Sequence, residues 1–270
     1  MSNPDSKVER RCPLCQGESF VSTPYGNSEW PIVVCQACSF VYMRIVPDYT
    51  RLSEELAWEK TLQVKADRRR NDQSLQNCLH LKARELKKKF FHRDKLGWLV
   101  KEYVAVGNIL DVGCAAGSFL ARLPEGYIPH GIEISKALAL KANEKLRSHN
   151  GVVVNDSALN GLAQLPADSF EGIVMSAFLE HESAPVEVLR RARNILKDGG
   201  KLIIKVPNYG SLLRLARSKK WCGFRLPEHV NYFTPQSLTA CGQMSGLKVM
   251  KFSLADRWPL SDNMWMVLEK

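Results

Sequence analysis

The stretch Ile109–Leu120, ILDVGCAAGSFL, constrains this chain more than any other. The short run Asn108–Leu110 ends in Asp111, and two glycines and two alanines follow before an apolar segment able to begin a helix. That order reads as strand, tight turn, helix. Gly113 and Gly117 let the backbone bend sharply and come close to a ligand, while Ala115 and Ala116 add almost no bulk. Strand-to-helix turns also use glycine for packing alone, so the context of the turn decides. Twenty residues after Gly113, the pentapeptide GIEIS sets Glu133 between Ile132 and Ile134 at the end of a second short apolar run. A carboxylate at a second strand end accepts both hydroxyls of a ribose, so the two stretches are expected to form one site.

Both stretches resemble motifs of the class I S-adenosylmethionine-dependent methyltransferases. Asp111–Gly117, DVGCAAG, is similar to their first motif, with Ala115 where a middle glycine is more usual, and Glu133 matches their ribose-binding acid. LPADSFEGIVMSAFLEH, residues 165–181, resembles the segment leading into and past their fourth strand, with Glu171 in place of the usual Asp. ILKDGGKLIIKVPN, residues 195–208, resembles the turn and fifth strand that follow. A nicotinamide-binding domain would need GxGxxG, which Gly113-Cys-Ala-Ala-Gly117 does not supply.

The resemblance implies an α/β fold, a Rossmann-like seven-stranded doubly wound sheet with a final antiparallel pair, and S-adenosylmethionine as cofactor. It implies cofactor contacts from Asp111, Gly113, Cys114, Ala115, Gly117, Glu133, Ile134, Asp156 and Ser176. Within that set, the main chain at Gly113 and Gly117 takes the methionyl portion and Asp111 its ammonium. Glu133 takes the ribose and Asp156 the adenine amino group.

Strands are expected near 108–111, 128–133, 151–155, 171–176, 201–206, 247–254 and 263–268, with helices at 118–123, 135–149, 185–196 and 235–244. Ligands bind at the carboxyl ends of such strands, where Asp111, Glu133 and Asn155-Asp156 fall.

Ahead of the sheet stand two CxxC knuckles, Cys12-Pro-Leu-Cys15 and Cys35-Gln-Ala-Cys38, with 19 residues between them. Each knuckle directs two thiolates at one ion, and four sulfurs close the tetrahedral shell that structural Zn²⁺ prefers. The turn-like 23–28 and the apolar 31–34 between them read as a β-hairpin carrying the second knuckle. An all-sulfur shell leaves no open position for water, so the metal is expected to fasten rather than catalyse. The N-terminal residues lack the apolar core of a signal peptide, and no apolar run is long enough to span a membrane. A cytoplasmic protein without membrane contact is expected. In that reducing compartment, cysteines serve metal or stay free.

From Leu52 to about Tyr103 the chain turns helical and basic. Lys82, Arg84, Lys87, Lys88, Lys89, Arg93 and Lys95 alternate with Leu75, Leu79, Leu86 and Phe90 at helical spacing. An amphipathic helix covering the sheet and a nucleic-acid-binding helix both fit that pattern, the former better. The expected organisation is a zinc ribbon at 1–46, a helical linker or lid at 47–104 and a methyltransferase domain at 105–270.

Two histidines are candidate bases. His181 follows Glu180 just past the fourth strand, in an LEH typical of ubiquinone-biosynthesis-type enzymes. His229 lies in LPEHVNYFT, residues 226–234, which resembles the EH-containing loop of bacterial sugar C-methyltransferases. Those enzymes also carry an N-terminal four-cysteine zinc domain, and their loop has a Tyr where this chain has Leu226. His229 is the first choice, His181 the second, with Glu180 beside them. Trp221, Phe224, Tyr232 and Phe233 gather around the second loop, either as a roof over an acceptor or as ordinary core.

The formal charge is +10, from 38 basic against 28 acidic side chains, and 45% of residues are hydrophobic. This supports a proper core and excludes a disordered chain. The leading expectation is methyl transfer to an oxygen or nitrogen of a small molecule, less readily to carbon. The alternative is an RNA methyltransferase that uses the ribbon and the basic helix, and a non-catalytic binding protein is the third reading. Neither the acceptor nor the oligomeric state is legible in the sequence.

Overall fold

The structure is a computed structural model that describes residues 7–48 and 94–270. Five short strands come first: β1 (Lys7–Glu9), β2 (Phe20–Gly26), β3 (Pro31–Cys35), β4 (Val41–Met43) and β5 (Ile45–Pro47). β1 pairs with β5 alone, while β2, β3 and β4 form an antiparallel meander. Helix α1 (Lys95–Tyr103) leads into the larger sheet, capped by Asp94, whose side chain accepts from the Gly97 amide. The basic stretch expected to be helical before it lies outside the described residues.

The larger sheet is built from β6 (Asn108–Val112), β7 (Ile128–Ile132), β8 (Val152–Val154), β9 (Phe170–Ser176) and β10 (Leu196–Pro207). Beyond the two-residue β11 (Asn231–Tyr232), β12 (Lys248–Lys251) and β13 (Asn263–Glu269) complete it. Its order is β12-β13-β10-β9-β6-β7-β8. Strands β6 to β10 run parallel, and β13 is antiparallel to both neighbours. Because β6 has β7 on one side and β9 on the other, the strand order reverses at the end of β6. A crevice opens at such a switch point, beyond the carboxyl ends of the strands.

All seven expected strands are present, and the helices divide by the strength of their end signals. α4 (Pro185–Ile195) buries Val186, Leu189 and Val188, Ala192, Ile195 on one face, starting with Pro at its first position. α6 (Pro235–Met244) starts at a capping box: Thr234 Oγ1 accepts from the Ser237 amide at 3.2 Å and Ser237 Oγ from the Thr234 amide at 2.9 Å. α2 (Lys136–Leu146) is capped by Ser135 and stops short of the expected 149, its last residues tightening into a 3₁₀ turn before left-handed Asn150.

The helix expected at 118–123 is only a 3₁₀ turn, Leu120–Arg122. Leu123 precedes Pro124 and is extended, as a residue before proline prefers to be, so the segment has no room for a full helix. Two six-residue helices, α3 (Ala158–Ala163) and α5 (Leu212–Arg217), were not anticipated. Each is held at its start by a serine cap, Ser157 and Ser211.

The four-cysteine unit packs into the same body. β11, more than 180 residues later in the chain, adds to β4 with Asn231 opposite Tyr42 and Tyr232 opposite Val41. Cys12, Cys35, Phe40 and Tyr42 share one apolar core with Leu110, Ile132, Ile173, Leu179 and Phe233. The rings of Phe40 and Phe233 lie 5.2 Å apart. Burial of each such large side chain stabilises by about 1.5–3 kcal/mol. Among the described residues no helix is long and apolar enough to cross a membrane.

Candidate active site

The turn after β6 is shaped by its neighbours. Gly113 has φ of +76°, and a Cβ there would lie 2.9 Å from the ring of Phe178, so only glycine fits beneath that ring. Ala115 also takes a left-handed conformation, φ +48°, where the related motif more often has glycine. Its amide donates to Glu133 Oε2 at 2.8 Å, and the Ser135 amide donates to Oε1 at 2.9 Å. GIEIS therefore supplies in sequence a strand end, an acid facing the first turn, and the cap of α2. Asn155 Nδ2 adds two bonds to the carbonyls of Glu133 and Ile134, at 2.8 and 3.0 Å, pinning the backbone that carries the acid.

Asp111 and Glu133 are both buried, at 7% and 8% exposure. Burial, with the charge of Glu133 adding to it, pushes the Asp111 carboxyl up to about 8. Cys114 is buried, and burial first of all raises its thiol far above the ordinary range, which suits a packing role. Its sulfur fills the space over Gly131, where a Cβ would lie 2.6 Å away. Gly117 is likewise left-handed, with Ala142 of α2 against it. Ile134 and Ser176 lie half-buried at the ends of β7 and β9. Asp156 is engaged locally: Oδ1 accepts from the Ser157 amide and Asn160 Nδ2, and Oδ2 from Gln164 Nε2 at 2.9 Å.

Past β9 the chain turns at Ala177, φ +58°, and presents Phe178 over Gly113. The Phe178 carbonyl accepts from the His181 amide at 2.9 Å, so the turn after β6 and the Glu180-His181 pair belong to one continuous wall. The structure brings the two candidate histidines together, with ring centroids 4.6 Å apart and planes at 89°. His181 Nδ1 lies 2.9 Å from the Glu228 carbonyl and His229 Nδ1 2.9 Å from the Gly223 carbonyl. A carbonyl only accepts, so each neutral ring carries its proton on Nδ1 and its lone pair on Nε2. Ligand atoms of Glu180, His181 and His229 all lie within 4.8 Å of one another. Burial pushes the Glu180 carboxyl up to about 8, with Lys205 and Arg225 opposing, and its buried Oε2 has no hydrogen bond among the described residues.

The aromatic residues near the second loop are core rather than roof. Trp221, Tyr232 and Phe233 are each at most 2% exposed, and Trp221 Nε1 donates to Asp262 Oδ1 at 2.9 Å. Phe224 packs between Tyr25 and Trp221, with ring centroids 4.7 and 5.3 Å away.

The four cysteines converge as their spacing demands. Their sulfurs all lie within 4.8 Å of one another, with Cys12–Cys38 and Cys15–Cys35 at 3.5 Å. Tetrahedral Zn–S bonds of about 2.3 Å require sulfurs about 3.8 Å apart, so the cage is of the right size for that ion. Both knuckles share one backbone form, each ending in a left-handed residue, Gln16 and Ser39. The amides of Gln16 and Ser39 close back onto the carbonyls of Cys12 and Cys35. Burial pushes the Cys12 thiol up to about 11. At Cys35 desolvation is outweighed by the amides of Cys38 and Ala37, which bring the thiol down to about 7.

Two features had no sequence signal: the ring of Phe178 over Gly113, and the buried Asn231, whose Nδ2 donates to the carbonyls of Leu179 and Glu182. Asn155 was visible at a strand end but without a role.

Comparison with known proteins places the fold in a family. Residues 68–251 match the family described as "Methyltransferase domain". A ubiquinone biosynthesis O-methyltransferase of Xanthomonas axonopodis pv. citri is 32% identical over 108 residues, 38% of this chain and 44% of that protein. A tRNA U34 carboxymethyltransferase of Desulfotalea psychrophila is 32% identical over 103 residues, 36% of this chain and 31% of that protein. The chain spans less than half the length of the curated relatives it matches. Among solved structures, a SAM-dependent methyltransferase from Archaeoglobus fulgidus aligns with TM-score 0.51 at 18% identity, over 68% of this chain and 98% of that one. An S-adenosylmethionine-dependent methyltransferase from Mesorhizobium loti aligns with TM-score 0.52 at 16% identity, over 66% and 99%. At such identities the likeness is one of fold. With its seven-stranded sheet and the match over 68–251, the chain belongs to the methyltransferase domain family and has the class I S-adenosylmethionine-dependent fold.

Proposed function

We propose that the protein transfers a methyl group from S-adenosylmethionine to an oxygen or nitrogen of a small molecule, with His229, or in its place His181, as the base. The cofactor supplies a methyl group on a positively charged sulfur. Positioning therefore carries most of the rate, and the chain must add a socket, an aligned acceptor and a place for a proton. In this reading Glu133 accepts the ribose hydroxyls, the turn at Gly113–Gly117 takes the methionyl main chain, and Asp111 takes the ammonium. A carboxyl held near 8 by burial ionises readily when a cation arrives beside it. Cys114, Ala115, Ile134 and Ser176 line this socket. In the same reading Asp156 takes the adenine amino group, with Oδ2, which accepts from Gln164, having a second lone pair for it.

The observation that carries the acceptor side is the crossed pair His181 and His229, each with Nδ1 on a main-chain carbonyl beside buried Glu180. An imidazole whose Nδ1–H faces a carbonyl has Nε2 as its accepting nitrogen. His229 is only 4% exposed, which suits an enclosed small acceptor more than a polymer lying across a surface. We read residues 1–46 as a zinc-held unit that braces this side, residues 47–104 as the linker, and the remainder as the transferase domain. Cytoplasmic residence belongs to the same reading.

The test supplies methyl-labelled S-adenosylmethionine with, separately, a small-metabolite extract and total RNA. Label in the low-mass fraction, lost in His229→Ala with cofactor affinity retained, supports the reading. Label in RNA, falling steeply with salt, would replace it with the polynucleotide reading.

A further inference from the structure

Arg10 stands between β1 and the first knuckle, in a stretch to which the sequence gives no role, yet its side chain runs into the protein. Nε donates to the Met43 carbonyl at 2.9 Å and Nη1 to the Ser183 carbonyl at 3.1 Å. Nη2 donates to the Val230 carbonyl and to Asn231 Oδ1, the latter at 3.1 Å. The guanidinium carbon lies 5.5 Å from the centre of the Tyr42 ring. These partners come from three places: β4 of the four-cysteine unit, the loop after β9, and the start of β11 with the residue before it.

Both histidine loops are caught at nearly the same distance from their histidines. Ser183 is two residues past His181, and Val230 is the residue after His229. Asn231, held by the same guanidinium, spans Glu180-His181 by donating to the carbonyls of Leu179 at 2.8 Å and Glu182 at 2.6 Å. The amides of Val230 and Asn231 both donate to the Glu180 carbonyl, at 2.7 and 3.1 Å. His181 in turn bonds the carbonyl of Glu228, next to His229. The two rings are thus held in register through their flanking main chain, and the Arg10 side chain reaches both flanks and the four-cysteine unit.

We infer that Arg10 is a positioning residue, a half-buried fork that fixes the mutual geometry of His181 and His229 and ties it to the four-cysteine unit. A guanidinium offers five donors in a rigid plane, and four of the bonds here fan out to separate carbonyl and amide oxygens. Lysine has the charge but not the fork. A half-buried cation beside the buried Glu182, held by three main-chain carbonyls and the Asn231 amide oxygen, is costly to desolvate as a stabilising device. Its presence is explained by what it aligns. This inference rests on the reading of the two histidines as acceptor-side groups.

The experiment uses the full chain and needs no acceptor. Nitrogen-15 imidazole spectra report which ring nitrogen carries the proton, and calorimetry with S-adenosylhomocysteine reports the cofactor socket. In the parent, His181 and His229 should both show the Nδ1–H form. In Arg10→Lys and Arg10→Ala, both rings should change to a mixture of Nδ1–H and Nε2–H forms, while His130 and His149 stay as they were. S-adenosylhomocysteine affinity should remain within about threefold, a difference under 1 kcal/mol. Arg10→Lys guards against failure of the alanine variant to fold. Unchanged His181 and His229 spectra in either folded variant would overturn the inference. So would a loss of cofactor affinity together with shifts at all the histidines, which would mark Arg10 as a support of the whole fold. Absence of S-adenosylhomocysteine binding to the parent would instead overturn the proposed function, whatever the spectra show.

Discussion

The Glu133 carboxylate holds the Ala115 amide at 2.8 Å, so the acid at the end of β7 also fixes the turn at the end of β6. Ala115 accepts a left-handed φ of +48° to make that bond. Glycine would relieve about 1–2 kcal/mol of strain and lose roughly 0.5–1 kcal/mol to chain entropy. Ala115→Gly should therefore match the parent or exceed it by up to about 1.5 kcal/mol in denaturant unfolding. Ala115→Val should lose about 2 kcal/mol or more, because a β-branched side chain tolerates positive φ poorly. A valine variant as stable as the parent would show that the turn is not built as described.

Two buried acids set a pH dependence of stability. Asp111 is raised from 3.8 to about 8 and Glu180 from 4.5 to about 8, in both cases by burial foremost. Between those values each is protonated in the folded protein and ionised in the unfolded chain, so folding takes up protons. Their contribution is full below pH 4 and declines as pH rises toward 8, by at most about 1.36 kcal/mol per pH unit per group. Without cofactor, Asp111→Asn and Glu180→Gln should each flatten the fall in melting temperature between pH 5 and 8. Curves parallel to the parent would contradict these burial-driven shifts.

The four-cysteine cage should hold one zinc ion per chain. Cys12 and Cys35 share a core with Leu179 and Phe233, so Cys35→Ser or chelation is expected to loosen the histidine loops as well as the N-terminal strands. Metal analysis, with hydrogen exchange across residues 178–183 and 226–234, checks both parts. Metal loss with protection in those loops intact would show that the cage stabilises only itself.

On the acceptor side, His229→Ala should keep cofactor affinity and lose about 10²–10⁴-fold in turnover, the range of general base catalysis. His181→Ala should behave likewise if the crossed pair acts as a unit, and have a milder effect if His229 acts alone. Full turnover in both variants would remove the base from this site.

How much of this the sequence disclosed follows from the range of each interaction. The seven strands and the GIEIS acid were legible because apolar runs, small-residue turns and caps are local. The convergence of the four cysteines was legible because each CxxC pair directs its two sulfurs to one side. The closeness of His181 and His229 was not, since it depends on β11, two residues that add to β4 without any periodic pattern. Arg10 was invisible for the same reason: its partners lie 33, 173, 220 and 221 positions away. Trp221 and Tyr232 read equally well as roof or core, and their burial made them core.

The most direct test is calorimetric titration of S-adenosylhomocysteine into the parent and into Glu133→Ala. One site per chain is expected, with binding at least about 100-fold weaker in the variant, near 2.7 kcal/mol, because in the proposed function that carboxylate both accepts the ribose and shapes the turn. Equal affinity in the two proteins would contradict it and place the nucleoside elsewhere.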